Sequence, residues 1–135
     1  MVYTEIININ VSPLTTTTAS TLNTSCISTI YTIKIGRNEK ENDDLIRKSD
    51  KNDLWFHLED NPSPHGFISV TVNEGVKASC IPHEIIYKTA LLVKKYSNCK
   101  HLPVVSVIYT KIENLCLTKK LGTVLIKKKT DKIKV

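Results

Sequence analysis

Two alternating segments joined by a turn constrain this chain more than any other feature: DLWFHL at 53–58 and FISVTV at 67–72, with EDNPSPH between them. Successive side chains of a strand point to opposite faces of a sheet. Leu54, Phe56 and Leu58 therefore share one face, and Asp53, Trp55 and His57 share the other. A hairpin closed around EDNPSP sets Trp55 opposite Phe67, His57 opposite His65 and Asp53 opposite Ser69, while Ile68 joins Leu54 on the core side. One face is then apolar and the other holds a carboxylate, an indole and two imidazoles. A one-residue slip would turn His65 away, so the reading depends on register.

The flanking sequence defines the sheet. Residues 2–9 and 29–35 have strand character and could pair as a hairpin. Between them, residues 12–29 are rich in Ser and Thr, a composition expected of a mobile loop. Past Gly36, Asn38 followed by Glu41 is a capping-box signature for a helix over about 39–48 that buries Leu45 and Ile46. Pro82 opens a second helical stretch reaching about residue 97, with Ile85, Ile86, Thr89, Leu92, Val93 and Tyr96 on one side and Lys88 and Lys95 away from it. PVVSVIYT, from Pro103, reads as a strand and 111–121 as a basic loop. TVLIKKK and KIKV read as two short strands joined by a turn at Thr130 and Asp131. The order β-β-α-β-β-α-β-β-β lacks the strict alternation of a doubly wound fold. It predicts an α+β domain over 1–135, with a mostly antiparallel sheet of about six to seven strands and two main helices.

Charge is distributed unevenly. The net charge is +6, and residues 111–135 alone hold eight lysines against Glu113 and Asp131. Lysines clustered there, Lys127, Lys128 and Lys129 above all, suit phosphate contacts; they equally suit a solvated edge guarded against strand pairing. The stretch 37–60 is acidic by contrast. The four cysteines form no C-x-x-C pair, which points away from a zinc site. No basic-then-apolar leader opens the chain and no apolar run approaches a membrane span of ~18 residues, so an intracellular, cytoplasmic protein with no membrane segment is expected.

Three readings of the Asp53–Trp55–His57–His65 face stay open on residue types alone. Aromatic rings among polar groups on an open sheet can stack bases. Two histidines and an aspartate can bind a metal or do acid–base chemistry, as an RNA-processing hydrolase using His57, His65 and Asp53 would. Or helix 82–97 covers the face and neighbouring backbone satisfies the histidines. No Gly-rich phosphate loop, nucleophile elbow or H-E-x-x-H is present.

Several blocks in order carry a resemblance: G-R-N-x-x-x-N-D at 36–43, N-D-L-W-F-H at 52–57, P-x-x-H at 62–65, K-Y-S before P-V-x-x-x-x-Y-T at 103–110, and G-T-V-x-x-x-K-K at 122–129. Over roughly residues 29–135 the chain resembles the NFACT-R domain family. It is most similar to the stand-alone eukaryotic branch of small coiled-coil domain-containing proteins, which continue into a charged coiled coil where this chain stops at Val135. Where the family often has P-G-S-H-V, this chain has Pro62-Ser63-Pro64-His65-Gly66.

The resemblance implies a non-catalytic RNA-binding domain without cofactor or metal. Its RNA would be tRNA or ribosomal RNA, and its setting the ribosome, ribosome-associated factors and the quality control of stalled translation. The NFACT-N and helix-hairpin-helix parts of the larger factors have no counterpart here, so tailing activity is not implied. The motif positions become candidate RNA contacts: Arg37, Asn38, Asn42, Asp43, Asp53, Trp55, His57 and His65, joined by Lys127, Lys128 and Lys129. In this reading Gly36 permits a backbone turn, Asp43 fixes Arg37 or His57, Arg37 reaches phosphate and Trp55 is a stacking platform. A module that docks on a ribosome-associated factor through protein contacts is the alternative.

Overall fold

The hairpin at the centre of the chain forms in the expected register. β3 (Leu54–Leu58) and β4 (His65–Val72) pair antiparallel with Leu54 opposite Ile68 and Trp55 opposite Phe67. Ser69 Oγ donates to Asp53 Oδ2 at 3.2 Å, as the register requires. Asp60, at φ 63°, makes the turn out of β3. The computed structural model describes residues 2–11, 27–72 and 81–135; of the Ser- and Thr-rich stretch 12–29, residues 12–26 lie outside them, and 27–29 are strand rather than loop.

Around this hairpin stand β1 (Tyr3–Val11), β2 (Ile27–Gly36), β5 (Ser106–Lys111) and β8 (Asp131–Lys134), giving a six-stranded sheet in the order β1-β2-β4-β3-β5-β8. Every pairing is antiparallel. β6 (Leu115–Leu117) and β7 (Val124–Ile126) form a separate two-stranded hairpin. With helices α1 (Glu39–Lys48) and α2 (His83–Lys95), the fold is α+β.

Connectivity decides which face each helix covers. α1 links β2 to β3 across β4, and α2 links β4 to β5 across β3. Each crossover joins parallel strands, and both travel the same way across the sheet, but they start from oppositely directed strands. Right-handed crossovers must then place the helices on opposite faces, and they do. α2 packs Ile85, Ala90, Leu92 and Val93 on Ile33, Ile35, Phe56, Leu58, Ile68 and Val107. Burial of each of these side chains larger than alanine contributes roughly 1.5–3 kcal/mol. A side chain at Gly66 would run into Val93 Cγ2 and Phe56 Cβ, so a valine has no room here and the glycine lets α2 down onto β4. On the other face Leu45 and Ile46 of α1 pack on Trp55 and Phe67, with Ile108, Ile112, Leu115 and Val124 around them.

Local chemistry sets the helix ends. Asn38 caps α1 by accepting from the Glu41 N–H at 2.9 Å. Glu41 Oε1 accepts in return from the Arg37 N–H, a capping box displaced by one residue. Pro82 is the N-cap of α2 rather than its first helical residue.

TVLIKKK and KIKV are not partners: β7 pairs with β6, and β8 pairs with β5. The supposed basic loop 111–121 contains a 3-10 turn, Ile112–Asn114, and β6 itself, whose leucines its lysines mask in composition. The strand expected from Pro103 starts at Ser106.

Candidate functional site

The small hairpin and α1 together make a cover over the Trp55 face, and the join is a glycine. Gly122 has φ 72°, a conformation open to a residue without Cβ. A Cβ there would meet the backbone of Glu39, the first residue of α1. Beneath this contact the cover leaves a cavity of about 290 Å³ lined by Trp55, His57, His65, Ile108, Gly122, Thr123, Val124 and Ile126. Helix 82–97, expected as the alternative cover of this face, lies on the opposite one because of its crossover.

Trp55 is 1% exposed, so its ring is no platform on an open sheet; it is the cavity floor. Its Nε1–H donates to His65 Nδ1 at 3.0 Å. An indole nitrogen can only donate, so His65 Nδ1 is an acceptor and the ring proton sits on Nε2. His57 has the opposite arrangement. Its Nδ1 lies 2.6 Å from the Leu58 carbonyl oxygen, which can only accept; Nδ1 therefore carries the proton and Nε2 is left bare. The imidazoles meet edge to face at 5.1 Å, and His57 stacks on Trp55 at 5.6 Å. Burial, reinforced by His57, pushes the His65 pKa down to about 3. Burial also lowers that of His57, partly offset by its bond to Leu58. The cavity thus offers one ring N–H and one bare ring nitrogen, without charge at neutral pH.

His65 is held from behind as well. Asn42, buried on α1, accepts the His65 backbone N–H on Oδ1 at 3.3 Å. That same Oδ1 fills the space a Cβ on Gly36 would need; Gly36, in β2, serves the close approach of α1 and not a turn.

The other candidates point elsewhere. Asp43 is buried and paired with Arg47 at 2.7 Å, one helical turn on, rather than with Arg37 or His57. Arg37 sits with its guanidinium 5.6 Å from the ring of Tyr96, at the end of α2. Asn38 is occupied as the N-cap. Asp53 accepts from the Asp50 N–H and from Ser69, and burial raises its pKa. No group of three or more metal-ligating side chains is gathered among the described residues. Lys127, Lys128 and Lys129 are exposed in the segment leaving β7, directly after the cavity residue Ile126, and none has an ion-pair partner among the described residues. By contrast Lys132 pairs with Glu59 at 2.7 Å and Lys88 with Glu5.

Ile108, Gly122, Thr123, Val124 and Ile126 were not among the sequence candidates. The G-T-V block at 122–124 was their one available signal. No helix among the described residues is long and apolar enough to cross a membrane.

Comparison with known proteins agrees with the motifs. The family model described as "NFACT protein RNA binding domain" matches residues 20–128. Coiled-coil domain-containing protein 25 of Bos taurus is 37% identical over 100 residues, 73% of this chain and 45% of the relative. The Danio rerio protein of that name is 32% identical over 91 residues, 66% and 42% of the two chains. The chain spans less than half the length of these relatives. The C-terminal part of the fibronectin/fibrinogen-binding protein from Streptococcus suis superposes with a TM-score of 0.65 at 26% identity, covering 78% of this chain and 40% of that one. The chain belongs to the NFACT RNA-binding domain family.

Proposed function

We propose that this member of the family acts as one non-catalytic RNA-binding domain. Its ligand is tRNA or ribosomal RNA, and its setting is the cytoplasmic ribosome and the quality control of stalled translation. Family membership supports RNA as the ligand class. The observation that carries the site is that Lys127, Lys128 and Lys129, exposed and without an ion-pair partner among the described residues, directly follow Ile126, which lines the cavity with His57 and His65. In this reading the lysines take phosphates and the histidines meet the nucleotide. Trp55 and Asn42 hold the histidines in place, and Asn38 and Asp43 shape the helix above. The non-catalytic reading draws support from Asp53, the carboxylate a hydrolase would recruit, which is held by Asp50 and Ser69.

Changing Lys127, Lys128 and Lys129 together to Glu is expected to abolish most RNA binding without unfolding the chain, and three lost phosphate contacts should flatten the salt dependence by about 2 in log–log slope for single strands. Unchanged affinity would remove this surface from consideration. A salt-insensitive partner captured in place of RNA would favour the docking module.

A further inference from the structure

We propose that the cavity between β3–β4 and the β6–β7 hairpin receives a single unpaired nucleobase, making the domain a reader of single-stranded rather than duplex RNA. The inference rests on the RNA reading above and names the part of the RNA that the site takes.

The cavity has the right character for a base and the wrong one for a phosphate. At about 290 Å³ it lies at the small end of the ~300–1,000 Å³ range of ligand pockets, suited to one heterocycle rather than a stacked pair. Its walls are a buried indole, two imidazoles and the aliphatic side chains of Ile108, Val124 and Ile126. Both imidazoles are neutral at pH 7, so nothing inside would balance an anion. The bonds to Trp55 and Leu58 fix the tautomers, leaving His65 Nε2–H as a donor and His57 Nε2 as an acceptor. His65 Nε2–H has no protein acceptor among the described residues, yet no buried polar side-chain atom there is sealed without a partner. Its ring edge is therefore open to the cavity that it lines.

Every nucleobase carries a donor and an acceptor side by side on its Watson–Crick edge, and in a duplex that edge is occupied by the opposite strand. Only an unpaired base can present it to a histidine pair. The charge needed for the sugar–phosphate chain stands outside, on Lys127, Lys128 and Lys129, starting one residue beyond Ile126. A nucleotide inserted base-first would leave its phosphate at that rim. One donor and one acceptor do not distinguish the bases, so selection is for strandedness and not for sequence.

Trp55 is the only tryptophan of the chain and reports occupancy directly. The full chain would be titrated with single-stranded oligouridylate, single-stranded oligoadenylate and a blunt RNA duplex of equal length, following Trp55 emission and, separately, affinity by fluorescence anisotropy of labelled RNA. Both single strands are expected to change Trp55 emission and to bind at least tenfold more tightly than the duplex. Ile126→Phe and Thr123→Phe fill the cavity from two exposed positions of the hairpin, so one serves if the other misfolds. Each is expected to bring single-strand affinity down to that of duplex while leaving the salt dependence intact. Equal binding of duplex and single strands, with Trp55 emission unchanged and both plugs silent, overturns the base pocket but leaves the RNA reading standing. No affinity for any of the three RNAs overturns both.

Discussion

The two faces of the central β3–β4 hairpin are covered by different means. On one, a single 13-residue helix, α2, lies along the sheet over an apolar cluster, and the hydroxyl of its buried Thr89 donates to the Ile85 carbonyl. On the other, the cover is assembled from α1 and a pair of three-residue strands that meet at the Gly122–Glu39 contact. A continuous cover gives a core; a cover made of two pieces leaves space at the join, where imidazoles can be buried enough to stay neutral and still reach a ligand. The neighbouring residues Phe56 and Trp55 belong to these two worlds although one peptide bond joins them.

The contrast can be broken most forcefully at Phe56. Phe56→Ala is expected to cost about 3–5 kcal/mol in urea denaturation, since α2 cannot collapse into the space. A loss below about 1 kcal/mol would mean that the α2 face is not the tighter one.

Acid sharpens the other side. His65 is neutral in the folded chain down to a pKa of about 3, whereas an unfolded chain takes up that proton near 6.5. The unfolded state therefore binds more protons between these values. Stability is full above pH 6.5 and falls as pH drops, by about 2 kcal/mol at pH 5 from this group. His57 acts in the same direction. Denaturation at pH 7.5 and pH 5 should show the loss, and His65→Gln should reduce it; an undiminished loss would place the sensitive group elsewhere.

Smaller again is the helix cap of the split cover. Asn38→Ala is expected to cost about 1 kcal/mol by loss of the bond to the Glu41 N–H. Smallest is Ile126→Ala at the 40%-exposed rim, expected to change stability by less than about 1 kcal/mol. A large effect there would make the rim part of the core.

Much of the molecule could be read from short-range pattern. The period of two in DLWFHL separated the faces, and of the registers open to the hairpin the one set out above is the one that forms. Asn38 and Glu41 marked the start of α1. What escaped was long-range or conformational. The partner of KIKV is β5, which nothing local announces, because the adjacent TVLIKKK offered itself first. The face taken by α2 follows from crossover handedness only once the strand order is known. Asp43 had a nearer cation in Arg47, at the spacing that places side chains one turn apart, while the reading reached for more distant ones. The cavity depends on a positive φ at Gly122, which composition does not report.

The β6–β7 hairpin has a further consequence for how the molecule breathes. Two short strands are marginal by themselves; the Lys127 N–H bond to the Asn114 carbonyl extends their own ladder, and the pair stays in place through the packing of Leu115 and Val124 and its seat on Glu39. None of the six-stranded sheet's backbone pairing passes through it. Undocking it leaves that sheet intact, so its amide hydrogens should exchange with solvent well before those of β2, β3 and β4. Undocking of the hairpin is then an opening of the cavity itself, and the site would gain or lose its occupant on the timescale of local unfolding rather than that of the fold.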